Sequence, residues 1–171
     1  MQRLPRMGDS RFRIAPARSA ADIAAVRALF KAYAAWLGLD LVYQGFAAEL
    51  QGLPDKYAPP RGELLIARDG DGTAAGCVGL RPLEADGCCE MKRLYVAPEA
   101  RGAGLGRALA TRIIGEAARI GYREMRLDSL PVLKEATALY ERMGFRPIPP
   151  YYDTPVIATL FFARPIGPAD L

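Results

Sequence analysis

Three glycines alternate behind an arginine in Arg101-Gly102-Ala103-Gly104-Leu105-Gly106, and this stretch is the one best suited to hold a ligand. A glycine-rich turn exposes successive backbone N–H groups. A helix starting behind it adds the positive end of its dipole, so the combination favours a phosphate. The spacing then discriminates among phosphate ligands. A dinucleotide fingerprint needs G-x-G-x-x-G, but Arg107 stands three residues after Gly104 and Leu109 three after Gly106. A nucleoside-triphosphate loop needs G-x-x-x-x-G-K-[ST], and Gly106 is followed by Arg107 and Ala108. What is left is R-x-x-G-x-G, with Arg101 and Arg107 flanking the turn as charge partners for an anion. The plainer alternative is a tight turn with helix-cap glycines.

The chain contains no histidine. A Ser-His-Asp or Cys-His arrangement is thereby excluded within it, as is a His-based zinc site. Proton transfer near neutral pH falls to Glu, Asp, Tyr, Lys or Cys. The cysteines are Cys77 and the neighbours Cys88 and Cys89, an odd set ill-spaced for disulfides or for four-ligand zinc. They read as buried structural thiols of a reduced, cytoplasmic protein without a metal. Net charge is +4 with a pI near 9.1, which suits a small anionic ligand. A concentrated basic run with interleaved aromatics is missing, so no nucleic-acid partner is expected. No apolar run approaches the ~20 residues of a membrane span, so no membrane is expected either.

The elements that must position these residues follow from periodicity. At 171 residues, 51% hydrophobic and 25% charged, the chain is the size and composition of one ordinary domain. Residues 1–10 read as a flexible leader and 11–171 as the domain. A strand is expected at 12–15. Ser19 caps a helix that carries Ile23, Val26, Phe30, Tyr33 and Leu37 on one stripe until Gly38 ends it, with Trp36 assigned to core packing. A short helix at 46–50 precedes a Pro-rich loop. Strands at 63–68, 73–83 and 88–96, joined at Asp69-Gly70-Asp71-Gly72 and Ala85-Asp86-Gly87, form an antiparallel meander. A helix from Leu105 to Ile120 is stopped by Gly121, and a strand follows at 123–127. A helix at 132–143 closes at Gly144, and strands at 145–148 and 156–163 complete the chain. The order predicts an α/β (α+β) fold: a mixed, mostly antiparallel sheet of about six to seven strands flanked by helices.

Two runs resemble a known family. EMKRLYVAPEARGAGLGRAL, residues 90–109, is similar to the acetyl-coenzyme A signature of the Gcn5-related N-acetyltransferases (GNAT), and ATALYERMGF, residues 136–145, to the second signature of that family. The resemblance implies the GNAT fold and acetyl-CoA as co-substrate. The pyrophosphate would lie on the amides of Arg101, Gly102, Ala103, Gly104, Leu105, Gly106 and Arg107. Pantetheine would run along Leu94, Tyr95 and Val96 like an added strand. Where the family often carries an Asn on the cofactor this chain has Leu133, with Lys134 next to it as a substitute contact.

The implied activity is acetyl transfer to a primary amine of a small molecule or protein, by direct attack in a ternary complex. Glu90 falls at the family's glutamate base. Cys88, Cys89 and Met91 give it apolar neighbours, a setting that raises a carboxyl pKa. Its structural alternative is a strand Glu paired with a cation such as Lys92. Tyr140 falls at the tyrosine that donates to the leaving sulfur, the alternative being a packed core ring. Oxyanion stabilisation falls to a backbone N–H near Leu94. Asp128 and Ser129 can face the cofactor. Tyr43, Gln44 and Phe46, with the loop at 151–155, can line an acceptor pocket. A homodimer is left open. The competing reading is a catalytically silent acyl-CoA-binding regulatory module of the same fold.

Overall fold

A computed structural model describes residues 11–171, so the expected leader at 1–10 lies outside the described residues. Seven strands form one sheet: β1 Phe12–Pro16, β2 Glu63–Asp69, β3 Ala74–Pro82, β4 Cys88–Val96, β5 Glu124–Ser129, β6 Arg146–Pro147 and β7 Leu160–Pro165. Their order is β1-β2-β3-β4-β5-β7-β6, and all neighbours are antiparallel except the β4–β5 pair. This is the predicted mixed sheet. Four helices flank it: α1 Ala20–Leu37, α2 Phe46–Gly52, α3 Leu105–Ile120 and α4 Lys134–Arg142.

β2 shows how the sheet is buried on both faces. Leu64 and Ile66 pack into the core under α1 with Val26, Phe30 and Tyr57, while Leu65 and Ala67 join the core under α3 with Leu109 and Ile113. α1 starts where expected. Ser19 Oγ accepts from the Asp22 backbone N–H at 3.0 Å, and Asp22 reaches back to the Ser19 N–H, closing a capping box. Gly38 ends α1 at φ +66, in the left-handed region that other residues occupy only at a cost.

The last strand differs from expectation. Residues 156–159 form a turn, with Thr159 Oγ1 donating to the Val156 carbonyl at 2.7 Å, and Ile157 stands fully exposed. An apolar run alone does not make a strand. The ladder with β5 begins only at Leu160, opposite Ser129.

Two local departures from regular pairing open the sheet. β4 and β5 pair only from Cys88↔Glu124 to Glu90↔Arg126, and then part. In β4 the register against β3 steps from Gly79↔Lys92 to Cys77↔Tyr95, and Arg93 takes φ +59. That is a β-bulge. Before it, Cys89 and Met91 face α3; after it, Leu94 and Val96 do. The bulge is anchored by its own side chain: Arg93 Nε donates to Glu49 Oε2 at 2.9 Å, and its guanidinium lies 5.1 Å from the Phe46 ring centroid.

Candidate active site

Where β4 and β5 part, a cleft of about 880 Å³ opens between them, the 101–107 loop and the first turns of α4. Every residue expected to contact the cofactor lines it except Ala103, which lies outside the lining. Gly102 and Gly104 adopt φ +82 and +78, with open space where a side chain would project. Among the described residues no side chain caps α3. Among the described residues no hydrogen bond takes the backbone N–H groups of residues 102–107. Those orphaned donors and the helix dipole together form an anion seat.

Arg101 lies folded across the mouth of this cleft. Its Nε donates to the Val96 carbonyl at 3.0 Å, and its guanidinium sits 4.8 Å from the Trp36 ring centroid and 5.8 Å from that of Tyr95. Trp36 is half exposed here, not in the core. It stands in the last turn of α1, where Tyr33, Tyr95 and the Arg101 guanidinium pack against it. Leu133 lines the cleft at the start of α4 where the family pattern has its Asn, and Lys134 is beside it.

A smaller cavity of about 40 Å³ adjoins the cleft, and Leu94, Asp128, Ser129, Leu133, Tyr33 and Tyr140 line both. Tyr140 is held by α4 with its ring edge-on to Phe145 at 5.8 Å. Burial pushes its phenol above the ordinary value, so it stays protonated at neutral pH. None of the hydrogen bonds among the described residues occupies its hydroxyl.

The floor of the small cavity is charged. Lys92 Nζ lies 3.3 Å from Asp128 Oδ1 and 3.4 Å from Gln44 Oε1, while the Tyr152 hydroxyl donates to Asp128 Oδ2 at 2.8 Å. Burial alone would raise the Asp128 carboxyl. The Lys92 ammonium, the Tyr152 hydrogen bond and the charge of Arg93 more than offset it, leaving the carboxyl below its usual value and ionised at neutral pH.

Glu90 is elsewhere. It lines neither cavity. Its Oε1 takes the Arg81 guanidinium at 2.7–2.8 Å, and Tyr151 donates to Oε2. Its apolar sequence neighbours Cys89 and Met91 point to the opposite face, as strand alternation requires, so a guanidinium and a phenol surround it. The expected partner Lys92 serves Asp128 instead. The structure thus brings Tyr140 to the meeting of the cavities and leaves Glu90, hydrogen-bonded to Tyr151, outside both.

Of the acceptor candidates, Tyr43 and Gln44 line the small cavity, and Tyr152 reaches it through Asp128. Phe46 packs on Arg93, and Asp153 is exposed. All three cysteines are free and buried, and burial pushes each thiol above its ordinary value, as inert structural residues require. Among the described residues no group of His, Cys, Asp or Glu could hold a metal, and no helix is long and apolar enough to cross a membrane.

A family model for an acetyltransferase (GNAT) domain matches residues 60–147, which include the bulged strand, the glycine loop and Tyr140. The chain belongs to the GNAT family. An uncharacterised N-acetyltransferase of Schizosaccharomyces pombe is 42% identical over 150 residues, covering 88% of this chain and 92% of the relative. One from Dictyostelium discoideum is 29% identical over 76% of this chain and 88% of its own. Among solved structures, a candidate acyl-CoA N-acyltransferase from Klebsiella pneumoniae superposes with a TM-score of 0.71 at 28% identity, covering 91% of this chain and 97% of the other. A GNAT-family acetyltransferase from Staphylococcus aureus, at 16% identity, shares the fold with a TM-score of 0.76 over 91% and 99% of the two chains.

For a GNAT protein the fold implies acetyl-CoA, and the residues fit it. The uncapped N–H groups and left-handed glycines form a seat for a pyrophosphate. The parted strands leave the Leu94–Val96 edge of β4 facing a cavity large enough for a pantetheine arm. Sequence reasoning missed Lys92 and Arg93 as parts of this site. Alternation puts Lys92, Leu94 and Val96 on one face, and no residue type announces the bulge that separates them.

Proposed function

We propose that residues 11–171 act as one cytoplasmic N-acetyltransferase domain that transfers the acetyl group of acetyl-CoA to a primary amine in a ternary complex. The observation that carries this reading is the convergence of two cavities on one phenol and one carboxylate, Tyr140 and Asp128. Acetyl-CoA supplies an acetyl carbon activated as a thioester. The 102–107 amides and Arg107 hold its pyrophosphate, with Arg101 swinging off Val96 to join them, and Lys134 sits within reach from α4. The β4 edge at Leu94 and Val96 pairs with the pantetheine amides, and the Leu94 N–H polarises the acetyl carbonyl.

Asp128 faces the acceptor cavity as an anion and orients the incoming amine. The neutral amine attacks, the new N–C bond replaces the C–S bond, and Tyr140 gives its proton to the sulfur. The acylated nitrogen releases the proton that restores the phenol. Glu90, the carboxylate expected to act as base, works through Tyr151 by fixing the 151–155 loop. With Asp128 held ionised and no histidine present, kcat/KM rises with pH along the ionisation of the amine itself.

Calorimetric titration with acetyl-CoA, followed by a thiol-release assay over a broad amine panel, tests this. Saturable heat and amine-dependent thiol release are expected. Heat without thiol release on any amine would favour a silent regulatory module, and no heat would remove the reading altogether.

A further inference from the structure

Lys92 has no part in the reaction just described, yet it is buried at the floor of the acceptor cavity, with its side chain 5% exposed. An ammonium has three N–H donors. Among the described residues two contacts serve them, at 3.3 and 3.4 Å, both longer than the roughly 2.7–2.9 Å of a good charge-assisted bond. The neighbouring cation Arg93 is by contrast tightly held by Glu49 at 2.9 Å and covered by Phe46. Lys92 therefore keeps donor capacity that the protein does not use well, on the wall where the acceptor must sit.

The charge pattern selects the acceptor. A bare neutral amine can donate to Asp128 but leaves the spare Lys92 donor beside it unused in a poorly solvated place. A carboxylate on the same or the adjacent carbon of the ligand fills that gap. The ligand's amine N–H then donates to Asp128 while its carboxylate accepts from Lys92. The 3.3 Å between Lys92 Nζ and Asp128 Oδ1 matches such a ligand's own short amine-to-carboxylate separation. The cavity volume of about 40 Å³ is room for roughly three waters, the scale of an amino-carboxylate head.

We infer that the acceptor is a free amino acid, its amine held by Asp128 and its carboxylate read by Lys92. This rests on the acetyltransferase reading above and adds the substrate class. The test uses the full chain in a thiol-release assay with matched trios: each amino acid, β-alanine included, its carboxamide, and the amine lacking the carboxylate. Free acids should exceed their amides and decarboxylated amines by about 10- to 100-fold in kcat/KM, the scale of one hydrogen bond to a charged group. Lys92→Met should bring the acid-to-amide ratio toward one while calorimetry shows acetyl-CoA binding unchanged, and Lys92→Arg should keep part of the preference. Amides or plain amines used as well as acids would overturn the inference while leaving the transferase intact, as would a Lys92→Met ratio equal to that of the wild type. Should Lys92→Met not fold, the wild-type trios and Lys92→Arg decide alone. Absence of heat with acetyl-CoA would defeat the parent reading, and this one with it.

Discussion

Removing the Tyr140 hydroxyl isolates one atom of the proposed reaction. In Tyr140→Phe the ring remains, and with it the edge-on contact to Phe145 and the burial of a side chain that is 8% exposed. The hydroxyl takes no hydrogen bond among the described residues, so its loss leaves no buried protein group without a partner. Stability should therefore hold to within about 0.5 kcal/mol, the range of substitutions that touch no special feature. The thiolate, by contrast, would have to leave without its donor. General acid catalysis contributes about 10²-fold or more, or about 2.7 kcal/mol of barrier at 1.36 kcal/mol per decade. Steady-state thiol release should show kcat reduced by about 10², KM for acetyl-CoA within about twofold of wild type, and an unchanged melting temperature. Because burial already keeps the phenol protonated, the wild-type rate should show no loss between neutral pH and pH 9 attributable to Tyr140. A variant with full kcat, or one in which acetyl-CoA affinity falls and kcat does not, would make Tyr140 a packing residue and refute the reasoning.

Gly104→Ala forces a Cβ residue into φ +78, costing about 1 kcal/mol of stability, and should weaken acetyl-CoA binding by calorimetry at least about tenfold because the loop amides shift. Glu90→Gln leaves Arg81 facing a neutral amide in a buried spot. It should cost about 2 kcal/mol in urea unfolding and leave the shape of the kcat/KM pH profile intact; a profile that loses its acid limb would return the base role to Glu90. Asp128→Asn should depress kcat/KM for the amine by about 10-fold or more at unchanged acetyl-CoA affinity, measured side by side with Glu90→Gln. Asp22 is held at a pKa of about 2, first by the Arg18 backbone N–H and then by the Arg68 guanidinium at 3.0 Å. Its folded value lies below the unfolded one, so its contribution is present above about pH 4 and is lost as pH falls toward 2. After allowance for a quarter-exposed side chain this is about 1 kcal/mol, and Asp22→Asn should lose it at pH 7 and flatten the acid limb of the stability curve.

The meander, the capped helices and the phosphate loop were legible because each is written locally. Ser19 with Asp22, Gly38, Gly121 and the alternating glycines at 102–106 specify their backbone by their own chemistry. The end of the chain was not. Residues 156–163 carry the apolar character of a strand, but pairing with β5 starts at Leu160 because the preceding residues turn back on themselves at Thr159. Glu90 shows the limit of reading neighbours along the chain. Its apolar flanks lie on the far face, and what surrounds it comes from β3 and from the 151–155 loop, distant in sequence. Trp36 looked like core because helical spacing says which face a residue occupies, not whether anything covers that face.

The residue that reconciles these points is Arg93. A regular β4 would send Lys92 and Leu94 to the same side of the sheet, placing an ammonium where the pantetheine arm should run. The extra residue shifts the phase, so Lys92 turns toward Gln44 and Asp128 while Leu94 and Val96 turn toward α3 and the cleft. One strand thus feeds two cavities: charge below, for the acceptor, and apolar edge above, for the donor. The left-handed backbone at Arg93 is costly for a residue with a Cβ, and the ion pair with Glu49 together with the Phe46 ring offsets it. On this account α2, which carries both Glu49 and Phe46, belongs to the active site although it touches neither cavity. Glu49→Gln, which weakens the anchor without changing its shape, should loosen Lys92 and Leu94 together, raising KM for both co-substrates. An effect confined to one of them would separate the bulge from the site.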